Sequence, residues 1–273
     1  MKVGLYEMGF LDHFEKLRWH LIRSLLAVGT FTILSFVFIR WIFDHIIFAP
    51  AQLTFPTFKY MCRLSQLTGV EDLCITDLPF IIQSRNMTGQ FMMSVTASFA
   101  IGIIVAFPYI IWEFWRFIKP GMIEREIKLS KGAILAVSLL FFLGVFFGYY
   151  LLSPMTVWFL STYSINDAIS NEFDITSYVS TIASLVIGCG LLFEFPIVVY
   201  FLSKIGIVTP QLMRKYRKHS VVAILVLAAV ITPTADPFTL TLISLPLYLL
   251  FEISVFTSAV VMKRNLQESP TED

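Results

Sequence analysis

Charged residues are scarce in this chain, and their scarcity limits what kind of protein it is. Of its 273 residues only 14% are Asp, Glu, Lys or Arg, whereas 57% are hydrophobic. Ordinary globular proteins carry about 25% charged residues, so a water-soluble enzyme does not fit this composition. Disorder needs low hydrophobicity, and 3 cysteines cannot hold a disulfide scaffold of this length together. The composition therefore predicts a polytopic membrane protein.

The signatures of common enzymes are also missing. The sequence has no HExxH, GxSxG, P-loop or glycine-rich dinucleotide motif, and its 4 histidines are scattered along the chain. The formal net charge of +1 gives no indication of a nucleic-acid partner. We therefore predict that the protein is not an enzyme and that it uses no metal, no cofactor and no nucleic acid.

Long stretches between the few charges predict where the chain crosses the membrane, since a helix needs about 20 apolar residues to span a bilayer. The predicted transmembrane helices are residues 21–43, 86–111, 132–153, 176–203, 219–232 and 238–262. Residues 219–232 are either a short helix in a thinned membrane or one arm of a re-entrant hairpin turned at 232–237. We favour six spans, the last two of them short. The predicted fold class is an all-α polytopic membrane protein with one membrane domain, residues 1–273.

Basic residues predict the orientation, because Lys and Arg stay preferentially on the cytoplasmic side of a membrane. With six spans, sixteen of the 20 Lys and Arg residues fall on the side that holds both termini. We therefore predict that both termini are cytoplasmic, with a tail at 263–273. The acidic loops 44–85 and 154–175 are predicted to be periplasmic.

The segment before the first span, residues 8–20, carries apolar side chains at helical spacing. Two interpretations are open. The segment is either an amphipathic helix that lies in the cytoplasmic interface and bends into the first span, or a simple extension of that span.

Two pairs of small residues favour specific contacts. Cys62 and Cys74 share the loop 44–85, where a periplasmic location would permit a disulfide. Spacing alone does not show that their Cα atoms come within bridging distance, so the pairing stays open. Gly144 and Gly148 form a small-xxx-small pair in the third span, for which internal packing is favoured over self-association.

Glu194 and Glu252 are the most informative residues, because a carboxyl inside an apolar span is costly and needs a polar neighbour or a proton. Each lies roughly 15 Å from the predicted cytoplasmic end of its helix, and Pro196 is expected to disturb the helix beside Glu194. Either both carboxyls are protonated and hydrogen-bonded within the bundle, or they form a polar site for a proton, a substrate or a partner helix. In the second case a proton-coupled secondary transporter that uses both glutamates is one alternative.

A series of short motifs resembles those of a known family. In chain order they are His13-Phe14-Glu15-Lys16-Leu17-Arg18, Ala49-Pro50, Phe117-Ile118-Lys119-Pro120-Gly121 with Glu126, Phe193-Glu194-Phe195-Pro196, Ile231-Thr232-Pro233-Thr234-Ala235-Asp236, Leu245-Pro246-Leu247 and Leu250-Phe251-Glu252-Ile253. In this order they resemble TatC, the multispanning core of the twin-arginine protein translocase. The resemblance covers nearly the whole chain.

The resemblance implies a fold and a function. The expected fold is a six-helix, glove-shaped bundle in a bacterial cytoplasmic (inner) membrane. The expected function is that of a receptor for twin-arginine signal peptides on proteins that are exported already folded, driven by the proton-motive force. The implied partners are single-span proteins of the TatA and TatB type, together with membrane lipid, in a multimeric complex.

The resemblance also implies roles for individual residues. Signal-peptide binding is expected at Glu126, Glu15, Arg18, Phe117, Pro120 and Met122. An intramembrane polar site for a partner helix is expected at Glu194, Pro196 and Glu252. Structural roles are expected for Pro50, Tyr149 and Asp236.

This chain departs from the family at one position of the signal-peptide site. The family has a glutamate directly before Leu-Arg, where this chain has Lys16, with Glu15 displaced by one residue. A shift of one residue turns a side chain by about 100° around a helix. The site is therefore expected to rely on Glu126, with Glu15 in an altered geometry, while Lys16 would repel arginines.

Overall fold

A computed structural model describes residues 10–69, 74–119, 124–166, 171–232 and 236–268. Within these ranges the backbone alone is described for residues 10–14, 124–131, 133 and 264–268. Pro120 and Met122 of the predicted signal-peptide site lie outside the described residues, and so does the side chain of Glu126.

The described part of the chain is mainly helical. The helices are α1 Phe10–Val37, α2 Ile39–Ile42, α3 Pro56–Thr68, α4 Gly89–Ile118, α5 Glu124–Phe147, α6 Ser153–Thr162, α7 Ile175–Leu192, α8 Phe195–Lys204, α9 Pro210–Lys215, α10 Arg217–Ile231 and α11 Pro237–Glu268. Two π-helical turns, Phe43–Ile47 and Gly148–Leu152, and a 3-10 turn, Ala49–Ala51, interrupt or connect them. Two short strands, β1 Phe80–Gln83 and β2 Asn171–Asp174, pair in parallel with Phe80 opposite Asn171.

Five helical stretches among the described residues are long and apolar enough to cross a membrane. They are Glu15–Val37, Gly89–Ile118, Ile134–Thr162, Ile175–Lys204 and Pro237–Lys263. The helix α10 corresponds to the predicted span 219–232 and has 15 residues. At about 1.5 Å per residue it is roughly 22 Å long, against a hydrocarbon core of about 30 Å, so it does not count among the five. The sixth crossing stays a prediction.

The described part of residues 8–20 belongs to the same helix as the first predicted span. The helix α1 runs without interruption from Phe10 to Val37. The helix therefore has no break between this segment and the first predicted span, and the position of the segment relative to the membrane stays a prediction. Residues 8 and 9 lie outside the described part of the chain.

One compact unit comprises residues 1–39 and 98–139. Within this unit α4 packs closely against α1 at Gly102, where a Cβ atom would lie 3.0 Å from the main-chain nitrogen of Thr32. Ala106 and Phe107 are buried nearby along α4. Since only 11% of the α1 stretch is buried, most of that helix presents apolar side chains outward, as a lipid-facing helix does.

The second compact unit comprises residues 40–97 and 140–273. Its main core joins the helices that follow α5. The buried side chains of this core are Leu152, Leu185, Cys189, Ala228, Ile243 and Leu247. A Cβ on Gly144 would lie 2.5 Å from the carbonyl oxygen of Cys189, and one on Gly148 would lie 3.0 Å from that of Leu185. The two glycines therefore pack α5 and its π turn closely against α7, which is internal packing.

The outer segments of this unit are held by local contacts. Cys62 and Cys74 form a disulfide across a separation of 12 residues, which ties α3 to the chain before β1. At the start of α7, Asp174 caps the helix, because its Oδ1 accepts a hydrogen bond from the Thr176 N–H at 2.8 Å. The main-chain N–H of Arg85 donates to Asp174 Oδ2 at 3.1 Å. Hydrogen bonds from Thr176 and from Arg85 hold the pKa of Asp174 below its usual value.

Candidate functional site

Glu113 is the most deeply buried described carboxyl of the first unit, with 1% of its side chain exposed. It lies in the penultimate turn of α4, and its neighbours are set by helical spacing and by α1. Tyr109, one turn earlier, donates its O–H to Oε1 at 3.0 Å. Arg116, three residues later, donates to the same oxygen at 3.5 Å. His20 of α1 places Nδ1 2.5 Å from Oε2.

This arrangement satisfies both oxygens of the buried carboxylate. A charged carboxylate is costly to bury unless cations and hydrogen bonds surround it, and Glu113 has both kinds of partner. The cation Arg116 also lies over the Trp112 ring, 4.8 Å from its centroid. Since three side chains already hold Glu113, we interpret it as a group that positions α1 against α4, and not as a carboxylate open to an incoming arginine.

Sequence reasoning missed Glu113 and His20. The second span was predicted to end at residue 111, whereas α4 continues to Ile118 and includes Glu113. A signal was nevertheless present. Tyr109, Glu113 and Arg116 recur at spacings of four and three, which places them on one face of a helix.

The residues predicted to bind a signal peptide are only partly brought together. Glu15 and Arg18 are exposed in the first turns of α1. Phe117 is half-buried near the end of α4, where its ring meets that of His20 edge-on at a centroid distance of 6.2 Å. Glu126 falls in the first turn of α5, of which the backbone alone is described. We refer to Glu113, Tyr109, Arg116 and His20 as the Glu113 cluster. The contact between His20 and Phe117 therefore joins one residue of the predicted signal-peptide site to this cluster.

Glu194 lies at a break between two helices in the second unit. The helix α7 ends at Leu192, and α8 begins at Phe195 with Pro196 at its second position. A proline there has no helical hydrogen bond to lose, which explains how the helix restarts directly after the break. The Glu194 carboxyl bonds to the main chain of Phe141. Its buried Oε1 has no hydrogen-bond partner among the described residues, so it retains capacity to accept one.

Glu252 has a different environment. The Arg217 guanidinium donates to its Oε2 at 2.8 Å, and the Tyr248 O–H donates to its Oε1 at 3.2 Å. Arg217 is the first residue of α10, and 33% of the Glu252 side chain is exposed. A joint ion site formed by Glu194 and Glu252 gains no support from this geometry, because Glu252 already has a cationic partner.

Three further predicted residues occupy positions that stabilise the fold. The Tyr149 O–H donates to the carbonyl oxygen of Ile46 at 2.9 Å, and Pro50 is buried in the neighbouring 3-10 turn. Asp236 precedes α11, and its Oδ1 accepts a hydrogen bond from the N–H of Thr239 at 2.7 Å. These contacts fix a turn and cap a helix, as structural roles require.

Comparison with known proteins identifies close likenesses over most of the chain. The family model described as "TatC: Sec-independent protein translocase protein (TatC)" matches residues 12–246. A Sec-independent protein translocase protein TatC of Blattabacterium sp. subsp. Periplaneta americana is 38% identical over 266 residues, which cover 97% of this chain and 100% of the relative. The TatC of Deinococcus radiodurans is 31% identical, with 95% and 89% covered.

Solved structures give the same result. A crystal structure of a twin-arginine translocase receptor, TatC, has a TM-score of 0.69 at 28% sequence identity, covering 91% of this chain and 99% of the other. A second structure of a TatC receptor, in the detergent DDM, has a TM-score of 0.71 at 30% identity, covering 90% and 99%. These likenesses confirm the resemblance found in the motifs.

Proposed function

Because the chain belongs to the TatC family of Sec-independent protein translocase proteins, we propose that it is the receptor component of a twin-arginine translocase. It binds twin-arginine signal peptides at its cytoplasmic face and recruits single-span helices of the TatA and TatB type. The complex exports folded proteins with the proton-motive force. The observation that carries this proposal is the match to the family from residue 12 to residue 246, which includes most of the motif series.

The proposed topology has six crossings in a bacterial inner membrane, with both termini in the cytoplasm. Five crossings are the long apolar stretches, and the remaining one is α10. If α10 did not cross, the C-terminus would lie on the opposite side together with Lys263 and Arg264, and fourteen instead of sixteen basic residues would share the cytoplasmic face. Six crossings keep sixteen of the 20 Lys and Arg residues on one side, which supports this arrangement.

Signal-peptide binding is assigned to carboxylates at the cytoplasmic ends of α1 and α5. A carboxylate pairs well with an arginine, because the guanidinium can donate two parallel hydrogen bonds to it. Glu15 is exposed at the start of the first span and Glu126 lies in the first turn of α5. Glu113 is not assigned to this role, since its oxygens are already bonded. The receptor therefore depends on Glu126 and on Glu15.

Partner binding is assigned to Glu194. A buried carboxylate oxygen without a partner among the described residues favours a donor from another helix, and a polar side chain on a single-span protein can provide one within the membrane. The carboxyl is also a titratable group inside a span, which is compatible with a role in coupling to the proton-motive force.

The receptor role is tested by peptide binding to the purified protein in detergent. We expect a twin-arginine signal peptide to bind more tightly than its Lys-Lys variant. A hydrogen bond to a charged group is worth about 1.5–3 kcal/mol, so Glu126→Ala should weaken binding by about 10- to 150-fold. Glu15→Gln should also weaken it.

Glu172→Gln is the matched control for this experiment. It removes a carboxylate of β2 that is paired with Arg85 and lies in the loop predicted to be periplasmic. Its binding should equal that of the unchanged protein. Equal affinity for the Arg-Arg and Lys-Lys peptides, together with no effect of Glu126→Ala, would contradict the receptor role.

A further inference from the structure

A basic cleft lies at the end of the first unit where α1 begins and α4 ends. Lys16, Trp19, His20 and Arg23 of α1 line it together with Arg116 of α4, and its volume is about 410 Å³. The four α1 residues are spaced by three, one and three positions, which places them on a single face of the helix. The cleft is therefore formed by one face of α1 and by the guanidinium of Arg116.

The described charges of this cleft are mainly positive. Lys16 and Arg23 are exposed, and 46% of the Arg116 side chain is exposed. Glu113 provides negative charge behind the cleft, but it is buried and already accepts from three side chains. Glu15 precedes Lys16 by one residue and so projects about 100° away around the helix. An arginine-rich peptide would be repelled here, whereas an anion would be attracted.

The position of the cleft corresponds to the interfacial zone of a membrane. The apolar stretch of α1 begins at Glu15, and from Lys16 to Arg23 the helix rises about 10 Å. Trp19 is 55% exposed, and tryptophan is enriched where the hydrocarbon meets the headgroups. Leu25 and Leu26, 69% and 65% exposed, follow directly and offer apolar surface for acyl chains.

We propose that this cleft binds the phosphate headgroup of an anionic phospholipid, with the acyl chains lying along α1 beyond Arg23. Arginine forks bond phosphate oxygens in pairs, and lysine adds a point charge. Basic clusters between transmembrane helices on the cytoplasmic side commonly hold such headgroups. This binding is separate from the proposed receptor function, since it requires neither a signal peptide nor a partner protein.

The test uses the full-length protein in a neutral detergent and native mass spectrometry with titrated lipid. Phosphatidylglycerol and phosphatidylcholine with identical acyl chains are compared, because both carry a phosphate and only the first has a net charge. Each basic side chain near a membrane contributes about fivefold in affinity for anionic lipid. The triple variant K16Q/R23Q/R116Q should therefore bind phosphatidylglycerol about 100-fold more weakly.

The control removes equal charge from another basic segment, through R214Q/K215Q/K218Q, whose side chains are exposed in and after α9. It should retain the preference for phosphatidylglycerol. The single variant R23Q keeps the Glu113 contacts and should weaken binding about fivefold, so it serves if the triple variant does not fold.

Three results would overturn the proposal. The first is equal affinity for the two lipids, and the second is an equal loss in the control variant. The third concerns the source of the phosphate. If inorganic phosphate displaced phosphatidylglycerol at the same phosphate concentration at which phosphate binds in the absence of lipid, the cleft would be a site for a soluble anion.

Discussion

Replacement of His20 by alanine tests whether the buried Glu113 cluster holds α1 to α4. The variant removes the group that lies 2.5 Å from Glu113 Oε2, while Tyr109 and Arg116 still bond Oε1. The substitution leaves Glu113 Oε2 without a donor among the described residues. The loss is expected to be about 1.5–3 kcal/mol, the typical worth of a hydrogen bond to a charged group.

The measurement is the free energy of unfolding in mixed detergent micelles, arranged as a double-mutant cycle of His20→Ala and Glu113→Gln. The neutral amide introduced by Glu113→Gln should tolerate the missing imidazole better than the carboxylate does, so the double variant should be more stable than the sum of the single losses predicts. The matched control is His45→Ala. Among the described residues, this exposed histidine bonds the carbonyl oxygen of Trp41 one turn earlier and stacks on its ring, so its loss should stay within about 0.5 kcal/mol. If His20→Ala cost no more than His45→Ala, the cluster would have no structural role.

Three further predictions concern the second unit. Asp174→Asn should lower the unfolding free energy at pH 7, because asparagine keeps a capping oxygen but loses the charge that strengthens the hydrogen bonds from Thr176 and Arg85. Because the folded-state pKa of Asp174 is lowered, this stability is present above the unfolded pKa and is lost as pH falls through the folded pKa. The difference between the two proteins should therefore be smaller at pH 3 than at pH 7, and a constant difference would contradict a role for the charge. Gly144→Ala should lower the free energy of unfolding by about 1–3 kcal/mol, because the added Cβ would lie 2.5 Å from the Cys189 carbonyl oxygen. The control Gly132→Ala should not lower it, since a Cβ there meets nothing within 4 Å, and equal unfolding midpoints of the two variants would refute this reasoning. Glu194→Ala should reduce co-purification of a TatA-type helix while leaving signal-peptide binding largely intact, and unchanged co-purification would contradict that assignment.

Five of the six predicted spans overlap helical stretches that are long and apolar enough to cross a membrane, and the differences at the helix ends have physical causes. The second span was predicted to end at residue 111 because Glu113 is ionisable, but a carboxyl that is paired with His20 and Arg116 can remain in the helix. The third was predicted to end at residue 153. The chain instead turns through a π-helical segment and continues helically to Thr162, because Pro154 occupies the first turn of α6, where a proline is tolerated.

Glu194 and Glu113 show what local patterns can and cannot reveal. Glu194 was recognised from sequence because a single carboxyl within a long apolar run has no local partner. Glu113 was overlooked because its histidine partner is 93 residues away along the chain. Spacing rules detect neighbours within one helix, such as Tyr109 and Arg116, but a contact between helices depends on tertiary structure.

The parallel pairing of β1 with β2 has a consequence for the order in which the protein is made. Phe80 pairs with Asn171, and the helices α4, α5 and α6 lie between the two strands in the chain. At a synthesis rate of about 5–20 residues per second, roughly 5–20 seconds separate the emergence of the two strands from the ribosome. Throughout that interval β1, with its apolar Phe-Ile-Ile sequence, has no strand to pair with. The nascent chain therefore carries an unpaired strand edge until the apolar stretches Gly89–Ile118 and Ile134–Thr162 and then β2 have been synthesised.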